Sequence, residues 1–283
     1  MSRPFSELRR RARVRRLARL YGSFLRDFLR ALFEPKLEHY AASLSFSTLF
    51  SIVPLLAILI SVFTALPVFA RARAAVEQLL RANLPVSDPA LIMSYLDRFV
   101  ANTGQLGLLG VGWMALAAYF FSRTLDYIVQ DVCGAKQRPV PAALMTYAGL
   151  ALAVPLLASV AYGAQAWLSA ALAGLPGMSV LRWSISLLLS WAIFWLFYQF
   201  APNRHIAPGA AATSSFIVAL IWMLSRDAFL FYATHTPTYA TIYGVVATLI
   251  LFLWWIYISW AILIHGLKFC MLLQRENIAA GKD

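Results

Sequence analysis

The 283 residues are 61% hydrophobic and only 13% charged, with a mean hydropathy of +0.71 and a formal net charge of +12. A soluble domain of this length cannot hide so much apolar surface, so the composition excludes a soluble globular fold and leaves a polytopic membrane protein. Glycine and proline are scattered, and neither a low-complexity tract nor a fixed-period repeat is found, which excludes fibrous and solenoid architectures.

The chain opens on a basic segment, 1–39, that holds eleven of the twenty-four Lys and Arg, six of them between Arg9 and Arg16. A run of this kind serves nucleic acid, anionic lipid head groups or membrane topology. Beside a series of hydrophobic spans, topology is the simplest reading. The segment is too long and the apolar run behind it too extended for a cleaved signal peptide, so it is expected to stay in the mature protein. Within it, Leu20, Phe24, Phe28 and Leu32 repeat at helical spacing among Arg19, Arg26 and Arg30, which predicts an amphipathic helix over 17–37 lying on the inner membrane surface.

Span one is predicted over 40–66 and contains Pro54, which removes a backbone hydrogen bond and bends the helix. Ser43, Ser47 and Ser51 follow one another every four residues on one face, with Ser45 and Thr48 nearby. That stripe suits close helix packing, and it also suits a water-lined or substrate-lined face. A region over 67–105, broken by Pro85 and Pro89, reads as an amphipathic helical hairpin outside the cytoplasm, resting against the membrane.

Span two is predicted over 106–121, continuing as a polar helical end to Gly134 and a turn at 136–139. Arg123 and Asp126 lie three residues apart and can form a local ion pair on this end; each can simply reach water at the interface, or the two can receive a charged head group there. Spans three to six are predicted over 144–172, 180–201, 209–231 and 242–266. The expected fold is all-α, with about six transmembrane helices, interfacial amphipathic helices and a cytoplasmic tail over 268–283.

Placing both termini inside puts eighteen Lys and Arg on the cytoplasmic side and six outside, the expected positive-inside bias. Gln199, Asn203 and Arg204 close span four in a turn that obeys the charge rule. Arg226 with Asp227, and Lys268, are costly at membrane depth unless paired or wet. Tyr239 and Tyr243 read first as interfacial anchors, and His265 as a satisfied buried or interfacial histidine. All of these, with Ser43, Ser47, Ser51, Pro54, Arg123 and Asp126, are candidates for a substrate path.

Cys133 and Cys270 read as free thiols. The four histidines are isolated in sequence, and neither a metal-ligand cluster nor a phosphate-binding glycine loop is present. No cofactor, metal or catalytic residue is therefore expected, and no nucleic-acid partner.

The stretch from Ala41 to Leu56, AASLSFSTLFSIVPLL, resembles the first-helix signature of the YihY/BrkB family of bacterial membrane proteins, long mislabelled as ribonuclease BN. Pro202-Asn203-Arg204, Gly209-Ala210-Ala211, Tyr239 to Gly244 and Leu253-Trp254-Trp255-Ile256-Tyr257 are similar to that family's second half. The resemblance covers about 30–270 and implies six helices in a bacterial inner membrane. It also implies a role in moving lipid or lipid-linked material across or out of that membrane. A docking protein for a periplasmic partner, or a small-solute or ion transporter, is the alternative. Two departures stand out: Gly266-Leu267-Lys268 where the family commonly has a Gly-Ala-Glu type sequence, and Asp126 where an asparagine is expected.

Overall fold

The computed structural model describes residues 33–65, 107–171, 178–235 and 245–280, together with Arg30 and Ser94. Most of the amphipathic segment over 17–37, the hairpin over 67–105, and Tyr239 and Tyr243 lie outside the described residues. Six long helices make up the rest: α1 (Pro35–Ala65), α2 (Gly107–Cys133), α3 (Val140–Ala171), α4 (Met178–Phe200), α5 (Pro208–His235) and α6 (Val245–Ala280). The shortest, α4, has 23 residues and is about 34 Å long, enough for the roughly 30 Å of a bilayer core.

Local chemistry explains where these helices start and stop. Pro35 and Pro208 occupy first helical positions, where a missing N–H costs nothing. Gly134 ends α2 with φ 63°, and the Ala135 and Gly134 N–H groups return to the carbonyls of Gln130 and Asp131 at 2.8 and 3.1 Å, a Schellman cap. Pro54 does not end α1, which continues to Ala65, and α3 likewise continues through Pro155. Part of the predicted tail is helical. With neither Gly nor Pro between Leu267 and Ala280, α6 runs unbroken to Ala280.

Each of α3 to α6 is long and apolar enough to cross a membrane, yet no more than 22% of any of these four windows is buried. Large side chains such as Trp113, Met145, Val160, Trp167 and Leu224 stand exposed around the bundle. So much apolar exterior is stable only against hydrocarbon.

Every helix packs against its neighbours in sequence, and α6 closes the ring onto α1 while also touching α2 and α4. Because lipid tails are as apolar as leucine, packing and interhelical hydrogen bonds hold such a ring. The Trp260 indole donates to Thr48 Oγ1 at 2.9 Å across α6 and α1, and the Trp191 indole donates to the Ala212 carbonyl at 3.0 Å across α4 and α5. A close approach occurs where α4, α5 and α6 meet. There Ser214 donates to the Gly266 carbonyl at 2.8 Å and buried Tyr198 donates to the Leu263 carbonyl at 2.8 Å. A β-carbon on Gly266 would overlap Val218 Cγ2 and the Tyr198 hydroxyl, so only glycine fits.

Candidate functional site

The helix directions gather the starts of α1, α3 and α5 and the ends of α2, α4 and α6 at one end of the ring, called here the proximal end. Its centre is Asp126, fully buried on α2. A carboxylate in such a place must be paired and hydrogen-bonded. Asp126 accepts from Gln130 Nε2 at 3.0 Å, the Tyr147 hydroxyl at 3.2 Å and the Arg138 backbone N–H at 3.1 Å, and it lies 3.6 Å from the Arg138 guanidinium. The expected Arg123–Asp126 pair is not the one formed. Arg138 approaches Asp126 from across the turn, while Arg123 donates to the Arg138 carbonyl at 3.3 Å.

The two loops at this end are interlocked. Arg138, in the α2–α3 loop, donates to the carbonyls of Phe200, Ala201 and Pro202 at 3.0, 2.6 and 3.0 Å, where α4 finishes. Arg204, in the α4–α5 loop, donates to the Cys133 carbonyl at 2.8 Å, where α2 finishes. Cations at helix C-termini satisfy orphan carbonyls and complement the helix dipole. Asn203 adds two ties, its N–H to Gln130 Oε1 at 2.7 Å and its side chain to the Lys136 carbonyl at 2.9 Å. Gln199 and Gln274 donate to the carbonyls of Ile206 and His205 at 3.2 and 2.9 Å. Burial pushes the Cys133 thiol up to about 12, and both Cys133 and Cys270 are free and buried.

A second charged group lies beside this one, more open to solvent. Lys36 on α1 meets Asp131 on α2 at 2.7 Å, the Tyr40 hydroxyl donates to the same carboxylate at 2.8 Å, and Lys268 on α6 meets Glu34 at 3.1 Å. The Lys36 ammonium holds the Asp131 carboxyl below the usual range, with the Tyr40 hydroxyl adding to the effect. In turn Asp131 and Tyr40 raise the Lys36 ammonium above its ordinary value.

The remaining candidates are spread out. On α1, Ser43 is exposed, Ser47 half-buried and Ser51 buried, so the three do not share one environment. Ser51 donates to the Ala117 carbonyl of α2 at 3.4 Å, while Ser45 and Thr48 return to carbonyls four residues back. Pro54 lies within α1. Arg226 and Asp227 pair with each other at 2.8 Å far along α5, with the guanidinium 6.0 Å from the Trp222 ring. Tyr239 and Tyr243 fall outside the described residues.

His265 lies in a groove of about 310 Å³ between α5 and α6, together with Ile217, Val218, Ile221, Ile262 and Phe269. Ile217 and Ile221 are exposed, within a window long and apolar enough to cross a membrane, so the groove opens on an apolar face of the bundle. The nearest charged residue on α6 is Lys268, almost one turn closer to the proximal end. Among the described residues no group of His, Cys, Asp and Glu could hold a metal ion.

Residues 28–283 match the family model described as Virulence factor BrkB. The chain belongs to the BrkB family. Similar members include a UPF0761 membrane protein of Bordetella petrii, 34% identical over 240 residues that cover 82% of this chain and 53% of that relative. Another, from Haemophilus influenzae, is 27% identical over 87% of this chain and 93% of its own length. A third, from Aggregatibacter aphrophilus, is 28% identical over 89% of this chain and 92% of its own length. The BrkB chain thus spans about half of the Bordetella relative and nearly all of the other two. No solved structure matches it.

Sequence reasoning singled out Asp126, Asn203, Arg204 and Arg123, which the structure brings together. It passed over Gln130, Arg138 and Tyr147, which complete the Asp126 network, and Glu34, Lys36 and Asp131 beside it. One signal was readable: Asp126 and Gln130 sit four residues apart on one face of α2.

Proposed function

We propose that this BrkB-family protein lies in a bacterial inner membrane with both termini cytoplasmic, and assists movement of lipid or lipid-linked material across or out of that membrane. The observation that carries the reading is the α5–α6 groove. It is apolar, open to hydrocarbon, and near the lower end of the roughly 300–1,000 Å³ of ligand pockets. A lipid chain can enter it sideways from the bilayer, which a water-soluble solute cannot do. The proximal end supports the reading. Lys36 and Lys268, each partly exposed, stand at the level where anionic head groups of the cytoplasmic leaflet would meet the ring. A periplasmic lipid-transfer partner would receive the material on the other side.

The test is redistribution of fluorescently labelled phosphatidylglycerol, an anionic phospholipid with free hydroxyls, in vesicles reconstituted with the purified chain. Transfer between leaflets faster than in empty vesicles, slowed by Ile217→Trp in the groove, is the expected result. Rates equal to those of empty vesicles, with and without a periplasmic partner, would sink the reading.

A further inference from the structure

We infer that the α5–α6 groove binds one apolar chain of a hydroxyl-bearing lipid, such as an acylglycerol or a long-chain isoprenoid alcohol, with His265 as the polar contact. This rests on the lipid-handling reading and names the class of lipid.

The argument begins at the ring of His265. Its Nδ1 lies 2.8 Å from the Ala261 carbonyl oxygen, one turn back on α6. A carbonyl oxygen only accepts, so Nδ1 carries the hydrogen in this contact, which in the imidazole form leaves the lone pair on Nε2. Among the described residues nothing bonds Nε2. A polar atom on a hydrocarbon-facing wall is costly unless it is satisfied, and ionisable groups at this depth are functional candidates. The group that satisfies an acceptor is a donor.

Everything else in the groove is apolar. Ile217, Val218 and Ile221 contribute from α5, and Ile262 and Phe269 from α6. Gly266 adds no side chain there, so the two helices stay close while the wall remains open beside His265. One donor-accepting nitrogen in an otherwise apolar slot matches a molecule with a single hydroxyl next to a hydrocarbon chain. A phosphate ester without a hydroxyl presents only acceptors and leaves the Nε2 lone pair unmet.

The experiment measures retention of dioleoylglycerol and of dioleoylphosphatidylcholine, whose head group has no hydrogen-bond donor, by the full-length protein in nanodiscs, using photoreactive acyl analogues and peptide mapping. Dioleoylglycerol is expected to label peptides spanning 217–221 and 261–269. His265→Leu should lower that labelling about threefold to tenfold, the range set by one lost hydrogen bond. His265→Gln, whose amide oxygen also accepts, should restore much of it. Ile217→Trp should abolish labelling without touching the histidine, which guards against a misfolded His265 variant. Labelling unchanged by Ile217→Trp, or equal labelling by dioleoylphosphatidylcholine with the same dependence on His265, overturns the inference. Groove binding of dioleoylglycerol with no vesicle transfer would overturn the transport reading and leave this one standing. Vesicle transfer with no labelling of the groove would do the reverse.

Discussion

Arg138 and Arg204 exchange helix ends: the arginine that follows α2 caps α4, and the arginine that follows α4 caps α2. The exchange welds two helical hairpins at their shared end, and Asp126 sits beneath it as a buried counter-charge. Removing Arg138 alone leaves that carboxylate uncompensated, so Arg138→Ala is expected to lose about 3–5 kcal/mol. Against the total of about 5–15 kcal/mol typical of folded domains, that loss is large. The double variant Asp126→Asn with Arg138→Met removes both charges and should recover part of it. Thermal midpoints in detergent would check this, and a double variant no more stable than Arg138→Ala would show that the unpaired carboxylate is not the main source of the loss.

Gly266 is where three helices leave no room for a methyl group. Gly266→Ala is expected to destabilise by about 1–3 kcal/mol through overpacking. Combining it with Tyr198→Phe and Val218→Ala removes the atoms that a new β-carbon would meet and should regain much of the loss. A Gly266→Ala protein with an unchanged thermal midpoint would mean that α5 and α6 separate without cost.

The tie between α1 and α2 has a pH window. Asp131 is held below the ordinary carboxylate value of about 3.9, so its contribution is complete above about pH 4 and disappears as pH falls through the depressed value. Lys36 is held above the ordinary ammonium value of about 10.4, so its contribution is complete below about pH 10 and disappears as pH rises through the higher value. Because the pair is partly exposed, the effect is small. The difference in thermal midpoint between the native chain and Asp131→Asn should stay level from about pH 5 to pH 9 and shrink in stronger acid. A difference that widens on acidification would refute the assignment.

Orientation is open to a direct measurement. Reporter fusions after residues 137 and 205 should report the cytoplasm, together with the basic N-terminal segment, and fusions after 85, 176 and 235 the opposite side. A cytoplasmic signal at 85 would reverse the proposed topology.

The helices were legible because each is a long apolar run bounded by Pro, Gly or charge, and hydropathy reads such runs directly. The end of α2 was legible too, since Gly134 follows the last polar turn. Partners were another matter. Arg123 stands three residues from Asp126 on the same helix, whereas Arg138 reaches it only after a turn reverses the chain. Helical spacing favours the first and is blind to the second. Gly266 and His265 were equally obscure: one glycine among apolar residues does not announce a three-helix contact, and one histidine does not announce a groove. Regular spacing also does not fix exposure along α1: Ser43 is exposed, whereas Ser51 is buried and donates to the Ala117 carbonyl of α2.

The arginine exchange also imposes an order on biogenesis. Until residues 200–202 have been made, the Arg138 guanidinium lacks its carbonyl partners, and until Arg204 follows, the Cys133 carbonyl lacks its donor. A ribosome that has delivered only α1 to α3 therefore leaves the first hairpin without its clasp. The second hairpin closes it on arrival, so a chain truncated before residue 200 would be expected to meet quality-control proteases while its α2–α3 turn is still undone.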